Sequence, residues 1–237
     1  MLLSNGMHIE GFCEDVSLFR QLAANGVWEK HISEYLLSHL TRNDVFVDAG
    51  ANIGYFTLLV APIVKQVYAF EPMSLNFKYL ENNIKSNHLK NVKIFKIGLW
   101  DSMSKKEILV QPEFAATAHI VQEGELMDYK KEIIQCVHLD SLNLEPTYIK
   151  LDIEGAEPWA LRGMQETLIR CKPTIIIEVN RHCLKNYFNV DSYAIWDLLT
   201  ALGYRFEALI NRRSINSLKE LNEICPATGL IDLLARV

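Results

Sequence analysis

The sequence predicts an α/β fold built on a doubly wound, mostly parallel sheet. Three observations carry that expectation. Short apolar strands alternate with helical periods from Asn43 onward, one strand is an almost continuous β-branched run, and the first strand ends in a glycine-rich turn that opens a helix. Strands that alternate with crossover helices pair in parallel and are covered on both faces. With 237 residues, 49% of them hydrophobic and 22% charged, the chain can bury a core without disulfide or metal staples.

The elements follow in order. Trp28 to Leu40 brings Ile32, Tyr35, Leu36 and Leu40 onto one helical face. Residues 1–42 read as a helical extension of an α/β core at 43–237, the whole forming one domain. Val45-Phe46-Val47 is the first strand, and a helix from Gly54 to Val64 follows, limited by Pro62. Gln66 to Phe70 is the second strand, Ser74 to Asn87 a helix, and Val92 to Leu99 the third strand. Lys106 to Val110 and Glu132 to His138 are short strands in a less regular stretch. Tyr148 to Leu151 is the next strand, and Pro158 suits the first turn of a helix running to Cys171. Thr174 to Val179, rich in isoleucine, marks a strand buried on both faces. Ser192 is placed to cap a helix that stops at Gly203. Strands near Tyr204 to Ile210 and Leu230 to Val237 close the chain.

Composition narrows the partners. The net charge is −5 with scattered basic residues, so no field for nucleic acid is expected. No apolar run approaches the ~20 residues that span a bilayer. Met1 to Gly6 lacks the basic end and apolar stretch of a leader. The five cysteines contain no CxxC pair, which suits reduced thiols. The expected location is the cytoplasm, and the expected partner is a small molecule or glycan.

Ligands of such sheets bind beyond the carboxyl ends of the strands, where the strand order reverses. The first strand ends in Asp48-Ala49-Gly50-Ala51-Asn52-Ile53-Gly54. Gly50 and Gly54 let the backbone turn and approach a ligand, and the next helix offers free N–H groups. The spacing is G-x-x-x-G, not the G-x-G-x-x-G of a pyrophosphate cradle, and Asp48 favours a cation. A ligand carrying an ammonium and a carboxylate, such as the methionine end of S-adenosylmethionine, suits this loop. Glu71, at the end of the second strand, is placed to accept both hydroxyls of a ribose. Leu99 and Trp100, with Asp101, stand where an adenine ring would lie.

Asp152, Glu154 and Glu157 crowd the fourth strand end, where carboxylates are costly unless solvated, paired or used. Glu154 and Glu157 suit the positive end of the following helix, and Asp152 lies nearest the inferred methyl position. Asp152, Glu178 and Asn180 together form an all-oxygen alternative for Mg²⁺ or Ca²⁺, although hydrogen bonding to a polar acceptor uses the same groups. The reading without metal is preferred. For proton removal the histidine candidates are His119, His138 and His182, with His182 closest to a strand end.

Val45 to Gly54, then Phe70-Glu71-Pro72 with Asn76, Leu80 and Asn83 behind it, resembles the FkbM family of methyltransferases. Leu139 to Leu142 and Ile149 to Glu157 extend the match, as do Gly26 to Glu29, so the resemblance covers roughly residues 26–210. It implies a Rossmann-like class I sheet of seven strands whose last strand is antiparallel. It also implies methyl transfer from S-adenosylmethionine, usually to oxygen, leaving S-adenosylhomocysteine. By the resemblance Asp48, Gly50 and Gly54 belong to the cofactor loop and Glu71 to the ribose. Family acceptors are diverse, sugar and polyketide hydroxyls among them. Two other readings compete: a binding module of the same fold, and a nicotinamide oxidoreductase that would need the missing pyrophosphate cradle.

Overall fold

The computed structural model describes residues 1–12, 18–110, 119–120, 130–225 and 229–237. Two helices, α1 (Leu18–Asn25) and α2 (Lys30–His39), precede the sheet. The first half then runs β1 (Val45–Ala49), α3 (Tyr55–Val60), β2 (Gln66–Phe70), α4 (Ser74–Ser86) and β3 (Val92–Phe95). A second group follows: β4 (Gly98–Leu99), β5 (Ser104–Val110), β6 (His119–Ile120) and β7 (Lys130–Val137). The chain returns as β8 (Tyr148–Leu151), α5 (Glu157–Arg162), α6 (Gln165–Cys171), β9 (Thr174–Asn180) and α7 (Arg181–Phe188). It closes with α8 (Tyr193–Ala201), β10 (Arg205–Ala208), β11 (Arg213–Ile215), α9 (Leu218–Ile224) and β12 (Leu230–Arg236).

The main sheet has the order β11-β10-β12-β9-β8-β1-β2-β3. From β9 to β3 every neighbour is parallel, whereas β12 is antiparallel to both β9 and β10. The last strand is therefore antiparallel, as expected. The count is eight and not seven, because β11 adds itself to the free edge of β10. Alternation sorts the side chains into two cores: Phe46 enters the one under α2 to α4, and Val47 the one under α5, α6 and α8. Ile175, Ile176 and Ile177 of β9 are at most 1% exposed, the double-sided burial that their run predicted.

Several boundaries differ from expectation. The third strand breaks after Phe95, and Gly98–Leu99 leaves the main sheet for a separate one ordered β4-β7-β5-β6. The helix after Pro158 divides at Gly163, whose backbone packs on the carbonyl of Trp100. Helix α7 and strand β11 were not expected at all. Ser192 does not cap α8; its hydroxyl donates to Asp191 and Asn222 instead. The four cysteines among the described residues are unpaired, and Cys13 lies outside those residues. No helix among the described residues is long and apolar enough to cross a membrane.

One motif of the resemblance proves architectural. Asp140 accepts hydrogen bonds from the backbone N–H groups of Glu166 and Thr167, at 3.1 and 2.8 Å, and from the Thr167 hydroxyl at 2.6 Å. It caps α6 from a distant turn, where the residue before the helix supplies no side-chain bond. Asp140→Ala should therefore lower the unfolding free energy by ~1–2 kcal/mol, read as a shifted urea midpoint with an unchanged slope. An unshifted midpoint would refute the capping role.

Candidate functional site

The strand order switches direction between β1 and β8, and a cleft opens at their carboxyl ends. There Gly50 turns with φ +84°, and its backbone lies so close to β8 that a Cβ would stand 1.9 Å from the Asp152 carbonyl oxygen. Asn52, at φ +51°, donates its N–H to Glu71 Oε2 at 2.9 Å, and its own side-chain oxygen is buried without a partner. Glu71 is 4% exposed and also accepts the Met73 N–H at 2.9 Å. Burial pushes its carboxyl up to about 7, against the pull of those two N–H groups. Leu99 and Trp100 line the same cleft, and Trp100 stacks on Trp159 with 5.0 Å between ring centroids.

Asp48 is placed differently from expectation. It is fully buried beneath the loop, with Oδ2 accepting the Thr57 hydroxyl at 2.6 Å and Oδ1 unpartnered. In register opposite Asp48 on β8 stands Lys150, 2% exposed, whose ammonium meets Asp152 Oδ2 at 2.6 Å. Burial opposes the lysine charge, but Asp152, Glu29 and Asp48 outweigh it and hold the ammonium above the usual lysine range. Gly54, at φ +97°, starts α3 against Leu80 and is not on the cleft wall.

Of the acidic segment, Glu157 is structural: Oε1 accepts the N–H groups of Ile153 and Gly155, closing the turn after β8. Burial raises it to about 7. Asp152 and Glu154 line the cleft, together with Glu178 from β9 and Glu29 from the turn before α2. Burial, with Asp152 and Glu157 nearby, lifts Glu154 to about 8, and burial lifts Glu29 to about 7. Asn180 is not part of this group, since its side chain caps α7 by accepting the Cys183 N–H at 3.1 Å. Asn180 therefore drops out of the alternative oxygen set, and the carboxylates that converge, with one oxygen of each within 4.8 Å of the others, are Glu29, Asp152 and Glu178.

The histidine candidates fare worse. His182 is exposed on α7, bonded to Asn186, and stands outside the cleft. His138 precedes a 3-10 turn whose Ser141 bonds its carbonyl, and it too is off the cleft. The His119 side chain lies outside the described residues. Among the described residues no histidine lines the cleft, and Lys150 is its one cation. Glu29 was missed as a site residue. The only signal was its place in the Gly26 to Glu29 piece of the resemblance.

The sheet order, the inserted antiparallel strand and the cleft at the switch point define a class I methyltransferase fold. The sequence model of the methyltransferase FkbM domain matches residues 48–206, and the chain belongs to that family. "Methyltransferase sdnD" of Sordaria araneosa is 30% identical over 179 residues, covering 61% of this chain and 69% of its own. "Methyltransferase 1" of Beauveria bassiana is 24% identical over 157 residues, 56% of this chain, which spans only 63% of that relative. Among solved structures, the methyltransferase FkbM of Methylobacillus flagellatus superposes with a TM-score of 0.51 at 18% identity, over 83% of this chain and 44% of its own. SMU.1697c of Streptococcus mutans, in complex with SAH, gives a TM-score of 0.50 at 14% identity, over 87% and 96%. At these identities the structural likeness speaks for the fold.

Proposed function

We propose that this protein transfers a methyl group from S-adenosylmethionine to a hydroxyl of a small molecule, sugar, glycan or natural product. The observation that carries the reading is the cleft at the β1–β8 switch point, walled by the Gly50 turn and by the buried Glu71 carboxylate. Family membership supports it, as does the SAH complex of the Streptococcus mutans protein of like fold. In this reading Glu71 accepts the ribose hydroxyls, Gly50 and Asn52 present backbone to the methionine portion, and Leu99 and Trp100 flank the base. Asp48 acts from below the loop, sharing the charge of Lys150 with Asp152.

Bound there, S-adenosylmethionine supplies an electrophilic methyl, and the protein's task is alignment of the acceptor and removal of its proton. Ile108, Ile134 and Cys136 of the second sheet, with Trp100, make an apolar wall facing an acidic floor. An acceptor with an apolar body and a hydroxyl fits that contrast. With no histidine on the described walls, a floor carboxylate takes the place assigned to His182.

Calorimetric titration tests the reading. S-adenosylmethionine and S-adenosylhomocysteine should each bind one-to-one with roughly micromolar dissociation constants, and NADH should not. A thermal shift with NADH and none with either sulfur compound would overturn it. Tight donor binding without product across a broad panel of hydroxylated acceptors would leave a binding module.

A further inference from the structure

We propose that Glu29, Asp152 and Glu178 hold a divalent, oxygen-preferring cation (Mg²⁺, Mn²⁺ or Ca²⁺) on the cleft floor. The three come from separate elements: the turn before α2, the end of β8 and the body of β9. One carboxylate oxygen of each lies within 4.8 Å of the other two. Oxygens bound to one ion at about 2.1–2.4 Å stand at most ~4.2–4.8 Å apart, so the spacing suits a shared ion.

A cluster of acids alone would say little. Glu178, however, is 7% exposed and its Oε1 has no hydrogen-bond partner, and Glu29 Oε2 is likewise buried and unpartnered. A buried polar atom left unsatisfied costs ~1–3 kcal/mol, so two on members of one cluster call for a ligand. Charge points the same way. Lys150 is committed to Asp152 at 2.6 Å, so among the described cleft walls no other cation offsets the carboxylates that Glu29 and Glu178 form on ionising. A divalent cation neutralises them. An all-oxygen donor set selects a hard ion over zinc or copper, and three protein ligands leave positions open toward the cleft for water or an acceptor oxygen.

The inference stands apart from methyl transfer, and so does its test. Chelator-treated protein would be titrated with MnCl₂, following free Mn²⁺ by electron paramagnetic resonance, with MgCl₂ and CaCl₂ as competitors. One saturable site is expected, displaced by Mg²⁺ or Ca²⁺. The near-isosteric Glu178→Gln and Glu29→Gln should each weaken it by ~10-fold or more, since affinity follows ligand charge. No saturable site in the folded wild type up to 10 mM would overturn the proposal, as would full affinity in both variants. If the variants unfold, the wild-type titration decides. Titrating S-adenosylhomocysteine on the same samples separates the readings: loss of one binding event with retention of the other condemns only its own.

Discussion

Glu71→Ala should weaken S-adenosylhomocysteine binding by at least ~100-fold, a loss of ~2.7 kcal/mol. The carboxylate bridges the turn after β1 and the turn before α4, taking the Asn52 N–H on one oxygen and the Met73 N–H on the other. Each oxygen retains a lone pair, so the same group can accept the 2′- and 3′-hydroxyls. Hydrogen bonds to a charged group contribute ~1.5–3 kcal/mol each, and removal also leaves two N–H groups without their acceptor. Unchanged affinity in a folded Glu71→Ala protein would remove the ribose assignment.

The same residue sets a pH signature. Burial raises its pKa to about 7, above the ordinary 4.5, so the native state keeps a proton that the unfolded state has released. Its contribution to the stability of the ligand-free protein is full below 4.5 and is lost as pH rises through about 7. Ligand affinity should run the other way, increasing from pH 6 to 8 as the carboxylate forms. Glu71→Gln should flatten that part of the profile, which calorimetry at three pH values would read.

Gly50→Ala should cost ~3–5 kcal/mol of stability and abolish donor binding. Two effects add. At φ +84° a Cβ strains the backbone, and here it would also stand 1.9 Å from the Asp152 carbonyl oxygen. That contact is with main chain, so no rotamer relieves it; the ends of β1 and β8 must part, and the cleft lies between them. Gly203 gives the control, with φ +86° and nothing within 4 Å of its would-be Cβ. Gly203→Ala should show the strain alone, about 1 kcal/mol. Equal urea midpoints for the two variants would disprove the close approach.

Much of this was legible from residues alone. The β1 loop, the Glu71 position and the Thr174–Asn180 strand rest on short-range rules: alternation, β-branched runs, and glycine where the chain must turn. The misplacements share a cause. His182 looked available because its strand end was visible, but Asn180 caps a helix that turns Cys183 and Leu184 inward and leaves His182 and Asn186 outside. Had that cap been recognised, helical spacing would have put His182 on the solvent face. Asp48 was expected to face the ligand, and its enclosure under Thr57 depends on how α3 returns over the strand.

By itself the sequence determined the family, the order of the elements around the parallel strands, and the acidic and glycine residues that edge the cleft, because each is encoded within a few neighbouring positions. Only the tertiary structure decided that Gly98–Leu99 departs to a second sheet, that β11 adds an eighth strand, and that Glu29 joins Asp152 and Glu178. Those outcomes depend on which segments pair and pack in three dimensions, Gly98–Leu99 with Cys136–Val137 and Glu29 with residues of β8 and β9 far along the chain, where burial of whole faces outweighs local preference.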